Sequence, residues 1–113
     1  MIQTFKNPAA SGTYNIEFTC PELTFLCPKT GQPDFGSISI DYIPDQKCIE
    51  LKSLKLYLWS YRDKGIGYEK LSNQIYRDLY EAAFPFKMSI EYKFNVRGGI
   101  GTKIVVARYF PKP

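Results

Sequence analysis

The stretch CIELKSLKLYLWSYRDKGIGYEKLSNQIYRDLYEAAFP (48–85) decides the architecture, because its apolar residues recur at helical spacing on both sides of one glycine-bearing break. Ser53 is placed to cap LKLYLWSYRD, which predicts a first helix over residues 54–63. Beyond Lys64-Gly65-Ile66-Gly67, the residues Leu71, Ile75, Leu79 and Ala83 share a helical face with Tyr68, Tyr76 and Tyr80 until Pro85 ends the run. Outside this pair the pattern changes to alternation of apolar and polar residues. Residues 14–19, 37–43 (SISIDYI), 88–96 (MSIEYKFNV) and 100–109 each read as half-buried strands, and Cys48-Ile49-Glu50 as an extended segment after a turn at Pro44 to Lys47. The order ββααββ describes an α+β fold, an antiparallel sheet with two helices on one face. A sheet of that kind keeps two open edges and an uncovered second face, so self-association is expected.

Composition bounds what such a fold can do. The 113 residues suffice for one domain, taken here as 1–113, and 44% apolar with 16% aromatic residues suffice for its core. No apolar run reaches the roughly 18 residues of a membrane span, and the start, MIQTFKNPAASG, lacks the apolar centre of a secretory signal. Three cysteines, Cys20, Cys27 and Cys48, are an odd number, which favours free thiols in a reducing compartment and a cytoplasmic location. The net charge of +4 is spread along the chain without a basic block, which suits an anionic ligand and argues against nucleic acid. Histidine is absent, so a His-ligated zinc site or a Cys-His dyad is excluded and no metal site is expected.

Proton transfer therefore falls mainly to carboxylates. The segment LCPKTGQPDF (26–35) sets Cys27 ahead of Asp34 across a Gly- and Pro-rich loop, with Lys29 near enough to favour a thiolate. It reads equally well as a surface turn, since Gly, Pro and Asp favour turns for conformational reasons alone. Lys52 and Lys55, three apart at a helix start, suit a phosphate, although a solvated helix start is the commoner case. Arg97-Gly98-Gly99-Ile100-Gly101 could cradle a phosphate, and a hairpin turn explains it adequately. Glu69, in the first turn of the second helix, either favours the helix dipole or offers a carboxylate to the paired N–H donors of a guanine-like ring.

Together, CPELTFLCPKTGQPDF (20–35), CIELKSLKLYLWSYRDKGI (48–66), Tyr68-Glu69 and FNVRGGI (94–100) resemble the NADPH-dependent 7-cyano-7-deazaguanine reductases, the nitrile reductases of queuosine biosynthesis. The most specific piece is ELKSLKLY (50–57), which fits that family's signature. The resemblance implies a tunnelling fold whose subunits form pentameric rings, often stacked as decamers, with active sites between subunits. It implies that Cys27 attacks the nitrile carbon to give a thioimide and that Asp34 protonates the nitrogen. Ile49, Glu50, Leu51, Tyr68 and Glu69 would hold the base, while Lys52, Ser53, Lys55, Arg97 and Gly98 would hold NADPH. Tyr68 stands where the family often has a histidine. The alternatives are an amidine-forming relative that adds ammonia to nitrile-bearing tRNA without nicotinamide, and a non-catalytic RNA-binding module.

Overall fold

A computed structural model describes residues 1–108. Its main sheet runs in the order β2 (Ile16–Leu26), β3 (Pro33–Ile43), β5 (Lys87–Arg97) and β6 (Ile100–Val106), all antiparallel. A separate ribbon pairs β1 (Thr4–Lys6) with β4 (Lys47–Ile49). The helices are α1 (Leu51–Trp59) and α2 (Tyr68–Ala83). The ββααββ order thus holds for the main sheet, and no helix among the described residues is long and apolar enough to cross a membrane.

Several boundaries differ from the sequence reading. β2 runs on to Leu26 because a register shift between Cys20 and Leu23 absorbs Pro21 and Glu22 and returns the strand to alternation. β3 begins at Pro33, so Asp34 lies in a strand instead of the connecting loop. β6 ends at Val106, and the expected strand residue Tyr109 lies outside the described residues. The first helix starts three residues earlier than expected, because its cap is Glu50 and not Ser53. The Glu50 carboxylate accepts from the backbone N–H of Lys52 at 2.6 Å and of Ser53 at 2.9 Å. The Ser53 hydroxyl instead accepts from Gln3 N–H at 2.9 Å and donates to the Glu50 carbonyl at 2.9 Å, tying the N-terminal strand to α1. α2 ends as expected before Pro85, with Phe84 in the left-handed region at φ 43°.

The core lies between the sheet and the helices. Ile38, Ile40 and Tyr42 of β3, and Ile90, Tyr92 and Phe94 of β5, pack with Leu71, Ile75 and Leu79 of α2. The buried tyrosines find acceptors or donors for their hydroxyls. Tyr92 donates to Ser72 O, Tyr76 donates to Met88 O, and Tyr42 accepts from Ile49 N–H.

One glycine in this sheet sets the position of an aromatic side chain used below. A Cβ on Gly36 would stand 2.7 Å from the Lys93 carbonyl oxygen and 3.1 Å from the Phe94 ring. Gly36→Ala should therefore spread β3 from β5 and cost about 1 to 3 kcal/mol in a chemical denaturation midpoint, with the Phe94 ring displaced. Unchanged stability would show that the strands absorb the methyl group without moving.

Candidate active site

The end of β2 and the start of β3 form a hairpin whose last pairs are Phe25 with Asp34 and Leu26 with Pro33. Cys27 N–H donates to Gln32 O at 2.8 Å and Gly31 N–H returns to Cys27 O at 2.9 Å, which folds the loop tightly over a left-handed Gly31 (φ 71°). The loop backbone presents its N–H groups to the half-buried Cys27 sulfur. The Thr30 hydroxyl, the N–H of Thr30 and the N–H of Lys29 stabilise the thiolate, and the Arg97 charge adds to them, so the thiol lies below its ordinary pKa of 9.0. Lys29 acts through its backbone N–H, not through the ammonium suggested by its place in the sequence.

Asp34 is buried, with a relative exposure of 5%. Its Oδ1 accepts from Phe35 N–H at 3.0 Å and lies 3.8 Å from Arg97 Nη1, which also donates to Pro33 O at 3.5 Å. Arg97 therefore stands at the Cys27 and Asp34 pair, while Gly98 and Gly99, both at positive φ, turn the chain from β5 to β6.

The connection between the helices brings Tyr68 to the same place. Leu26 N–H donates to Lys64 O at 2.9 Å and Ile66 N–H donates to Leu26 O at 3.0 Å, extending the sheet edge by a short parallel bridge through Gly65. The two segments pack closely at Gly65, where a Cβ would come into ordinary van der Waals contact with Pro28 Cα at 3.4 Å. Two residues on, α2 starts. The Tyr68 ring lies flat on Phe94 at 4.0 Å between centroids and 2° between planes, and meets Phe25 edge-on at 5.7 Å. Burial, and then the Asp34 carboxyl that its hydroxyl meets, raise the Tyr68 pKa. Glu69 follows in the first turn of α2, exposed to solvent.

The remaining expected residues lie elsewhere in the chain. Ile49 is buried, Glu50 is committed to capping, and Ser53 is buried with its hydroxyl engaged. Leu51, Lys52 and Lys55 are exposed on α1. Leu51, Lys55 and Trp59 line one side of a groove of about 410 Å³, with Phe18, Cys20 and Pro21 of β2 on the other. Trp59 is half exposed, with Lys55 Nζ 4.8 Å and Arg62 Cζ 5.9 Å from its ring centre. Cys20 and Leu26 are six positions apart on β2, roughly 20 Å at strand rise, so the groove and Cys27 are not brought together within one chain. The helix N-terminus expected to favour an anion already has the N–H groups of Lys52 and Ser53 satisfied by Glu50, which leaves the lysine ammoniums as the free charge there.

Sequence reading missed the contacts of Thr30 with Cys27, of Arg97 with Asp34 and of Tyr68 with Asp34. Each joins residue types that are common in turns or helix starts, and only the register of the sheet brings them together.

Residues 33–112 match the family model described as QueF-like protein. The NADPH-dependent 7-cyano-7-deazaguanine reductase of Nitrosomonas europaea is 55% identical over 104 residues, covering 92% of this chain and 75% of that protein. The enzyme of the same name from Methylobacillus flagellatus is 53% identical over 97% of this chain and 79% of its own length, an alignment that takes in Cys27. Among solved structures, the archaeosine synthase QueF-Like in its apo form superposes with a TM-score of 0.76 at 20% identity, covering 82% of this chain and 91% of that one, a likeness of fold.

The thiolate environment gives a direct test. Thr30→Ala should move the pH at which Cys27 is half-alkylated by iodoacetamide upward, toward the ordinary thiol value, in a series from about pH 5 to 9 read by peptide mass spectrometry. An unmoved profile would show that the loop N–H groups hold the thiolate without the hydroxyl.

Proposed function

Because the chain belongs to the family of the NADPH-dependent 7-cyano-7-deazaguanine reductases, we propose that Cys27 and Asp34 carry the chemistry of its reaction, the reduction of that nitrile. The observation that carries the assignment is a thiol held below its ordinary pKa at the mouth of a hairpin whose next strand opens on a buried carboxyl. The Cys27 sulfur forms a bond to the nitrile carbon, and the thiol proton reaches the nitrile nitrogen by way of Asp34, leaving a thioimide. NADPH, when bound, supplies hydride. Two hydride equivalents and two protons convert the carbon to an aminomethyl group and return Cys27 as a thiol. Arg97, near both groups, holds the hairpin mouth electropositive while the sulfur is a thiolate.

The whole of 1–113 acts as one domain, and its site is completed by a second copy. Glu69 grips the base through the ring's paired donors, with the exposed Leu51 and the backbone beside the buried Ile49 of a neighbouring chain closing over it. The exposed ammoniums of Lys52 and Lys55 fit the cofactor phosphates by charge, and Gly98 leaves room beside Arg97. Two observations support an intersubunit site: the roughly 20 Å between the α1 groove and Cys27 within a chain, and the open outer edges of β2 and β6. The amidine-forming alternative is not favoured, because relatives at 48% to 55% identity are reductases while the archaeosine synthase shares the fold at 20%.

Wild-type protein should oxidise NADPH only when 7-cyano-7-deazaguanine is present, and Cys27→Ala should abolish both turnover and any covalent adduct. A mass-spectrometric adduct on Cys20 or Cys48 would remove Cys27 from the mechanism. Lys52→Ala with Lys55→Ala should leave the adduct intact and weaken NADPH binding at least about tenfold, less so at high salt. At an NADPH concentration too low to sustain the lysine variant, co-assembly of that variant with Cys27→Ala should raise turnover above that of either alone, since an intersubunit site then finds one intact thiol and one intact lysine pair. No recovery in assemblies shown to be mixed would place the whole site within one chain.

A further inference from the structure

We propose that Tyr68 is a positioning residue for Asp34, its phenol clamped between aromatic rings so that the hydroxyl fixes the orientation of the catalytic carboxyl instead of touching the base. This rests on the assignment of Cys27 and Asp34 above and gives Tyr68 a different place from the one that the family resemblance suggested.

Three features of the geometry point this way. One face of the Tyr68 ring is covered by Phe94 at 4.0 Å in a parallel stack, and Phe25 meets it edge-on at 5.7 Å. A ring held by two neighbours in a fixed mutual arrangement, themselves edge-to-face at 5.7 Å, is not free to turn toward a ligand. Phe25 is the cross-strand partner of Asp34, so a ring resting on Phe25 stands on the same face of the sheet as that carboxyl, which has little solvent around it, and after burial their interaction helps to raise the phenol pKa. The other partners of that carboxyl leave its rotation weakly held. Phe35 N–H belongs to the adjacent residue and turns with the same strand, and Arg97 approaches at 3.8 Å from a side chain 43% exposed. Tyr68 is the partner that reaches Asp34 from a helix anchored independently, through Lys64 and Ile66 on Leu26.

The chemistry of a phenol suits this role. It donates a directional bond without adding charge beside the thiolate, and it keeps its own proton throughout, because a raised pKa leaves it neutral while Asp34 handles the proton that passes from sulfur to nitrogen. In thioimide formation one S–C bond forms, one C–N π bond is lost and one proton moves from sulfur to nitrogen. Tyr68 takes no part in that balance and only sets the direction from which the proton arrives.

The test is a double-mutant cycle with Tyr68→Phe, which keeps the stacked ring and deletes the hydroxyl. The rate of adduct formation at saturating nitrile should fall about tenfold to a hundredfold in Tyr68→Phe, the worth of one hydrogen bond to a charged group, with the melting temperature close to wild type. Calorimetry in a Cys27→Ala background should show nitrile affinity within about twofold of the variant that keeps Tyr68. In an Asp34→Asn background the same change should have no further effect on the rate, because the group it positions is gone. A large loss of affinity would make the hydroxyl a base contact, and additive losses in the cycle would mean that Tyr68 acts without Asp34. Either result overturns the inference while leaving the reductase assignment in place. A wild type that never forms the Cys27 adduct would overturn both.

Discussion

Two backbone hydrogen bonds on one residue, Leu26, carry the arrangement of this chain. Its N–H and C=O are shared with Lys64 and Ile66, so the end of β2 is fastened to the link between the helices. A link of that length crosses the surface of a small domain and would ordinarily be free to move. Fastened here, it delivers Tyr68 to the end of the sheet that carries Cys27, and the hairpin pairing beyond Leu26 delivers Asp34. At Gly65 the two segments come within van der Waals reach of each other, beside the backbone of Pro28. The chemistry of the site thus rests on main-chain pairing at an edge that would otherwise be open.

Charge and burial are divided along the chain. The thiol, carboxyl and phenol collect at one end of the sheet in a partly enclosed setting, while Lys52 and Lys55 remain in water on α1, Lys55 beside a groove toward the other end of β2. Glu50 sharpens the division. By capping α1 it removes the helix N-terminus as an anion site and leaves anion attraction to side chains that can move. The archaeosine synthase shares this fold at low identity, which is the expected behaviour of a scaffold whose chemistry lies in a few grafted positions.

Much of this was legible from residues alone. The helical spacing of Leu71, Ile75 and Leu79 and the stop at Pro85 located α2 closely, and alternation in SISIDYI and MSIEYKFNV located the two central strands. The errors came where local chemistry was ambiguous. Ser53 and Glu50 can both cap a helix, and the choice was made by Gln3, a residue distant in sequence that claims the serine hydroxyl. Asp34 looked like a turn residue because Gly31 and Pro33 precede it, yet pairing with Phe25 drew it into a strand. Arg97, grouped with the glycines that follow it, is turned instead toward Asp34 by its place in the β5 register. Pair contacts of this kind have no signature in one sequence, because they depend on which strands become neighbours.

The single tryptophan gives the groove an optical consequence. Trp59 lies half exposed on α1 with the cations of Lys55 and Arg62 close to its ring, while the core contains tyrosine and phenylalanine in its place. Intrinsic emission excited at the indole band therefore reports the surroundings of one solvent-facing indole and stays largely blind to the packing of the interior. A change in that emission at constant secondary structure marks occupation of the α1 surface, and loss of the tyrosine near-ultraviolet dichroism marks loosening of the core, so the two events are separable in one cuvette without any added label.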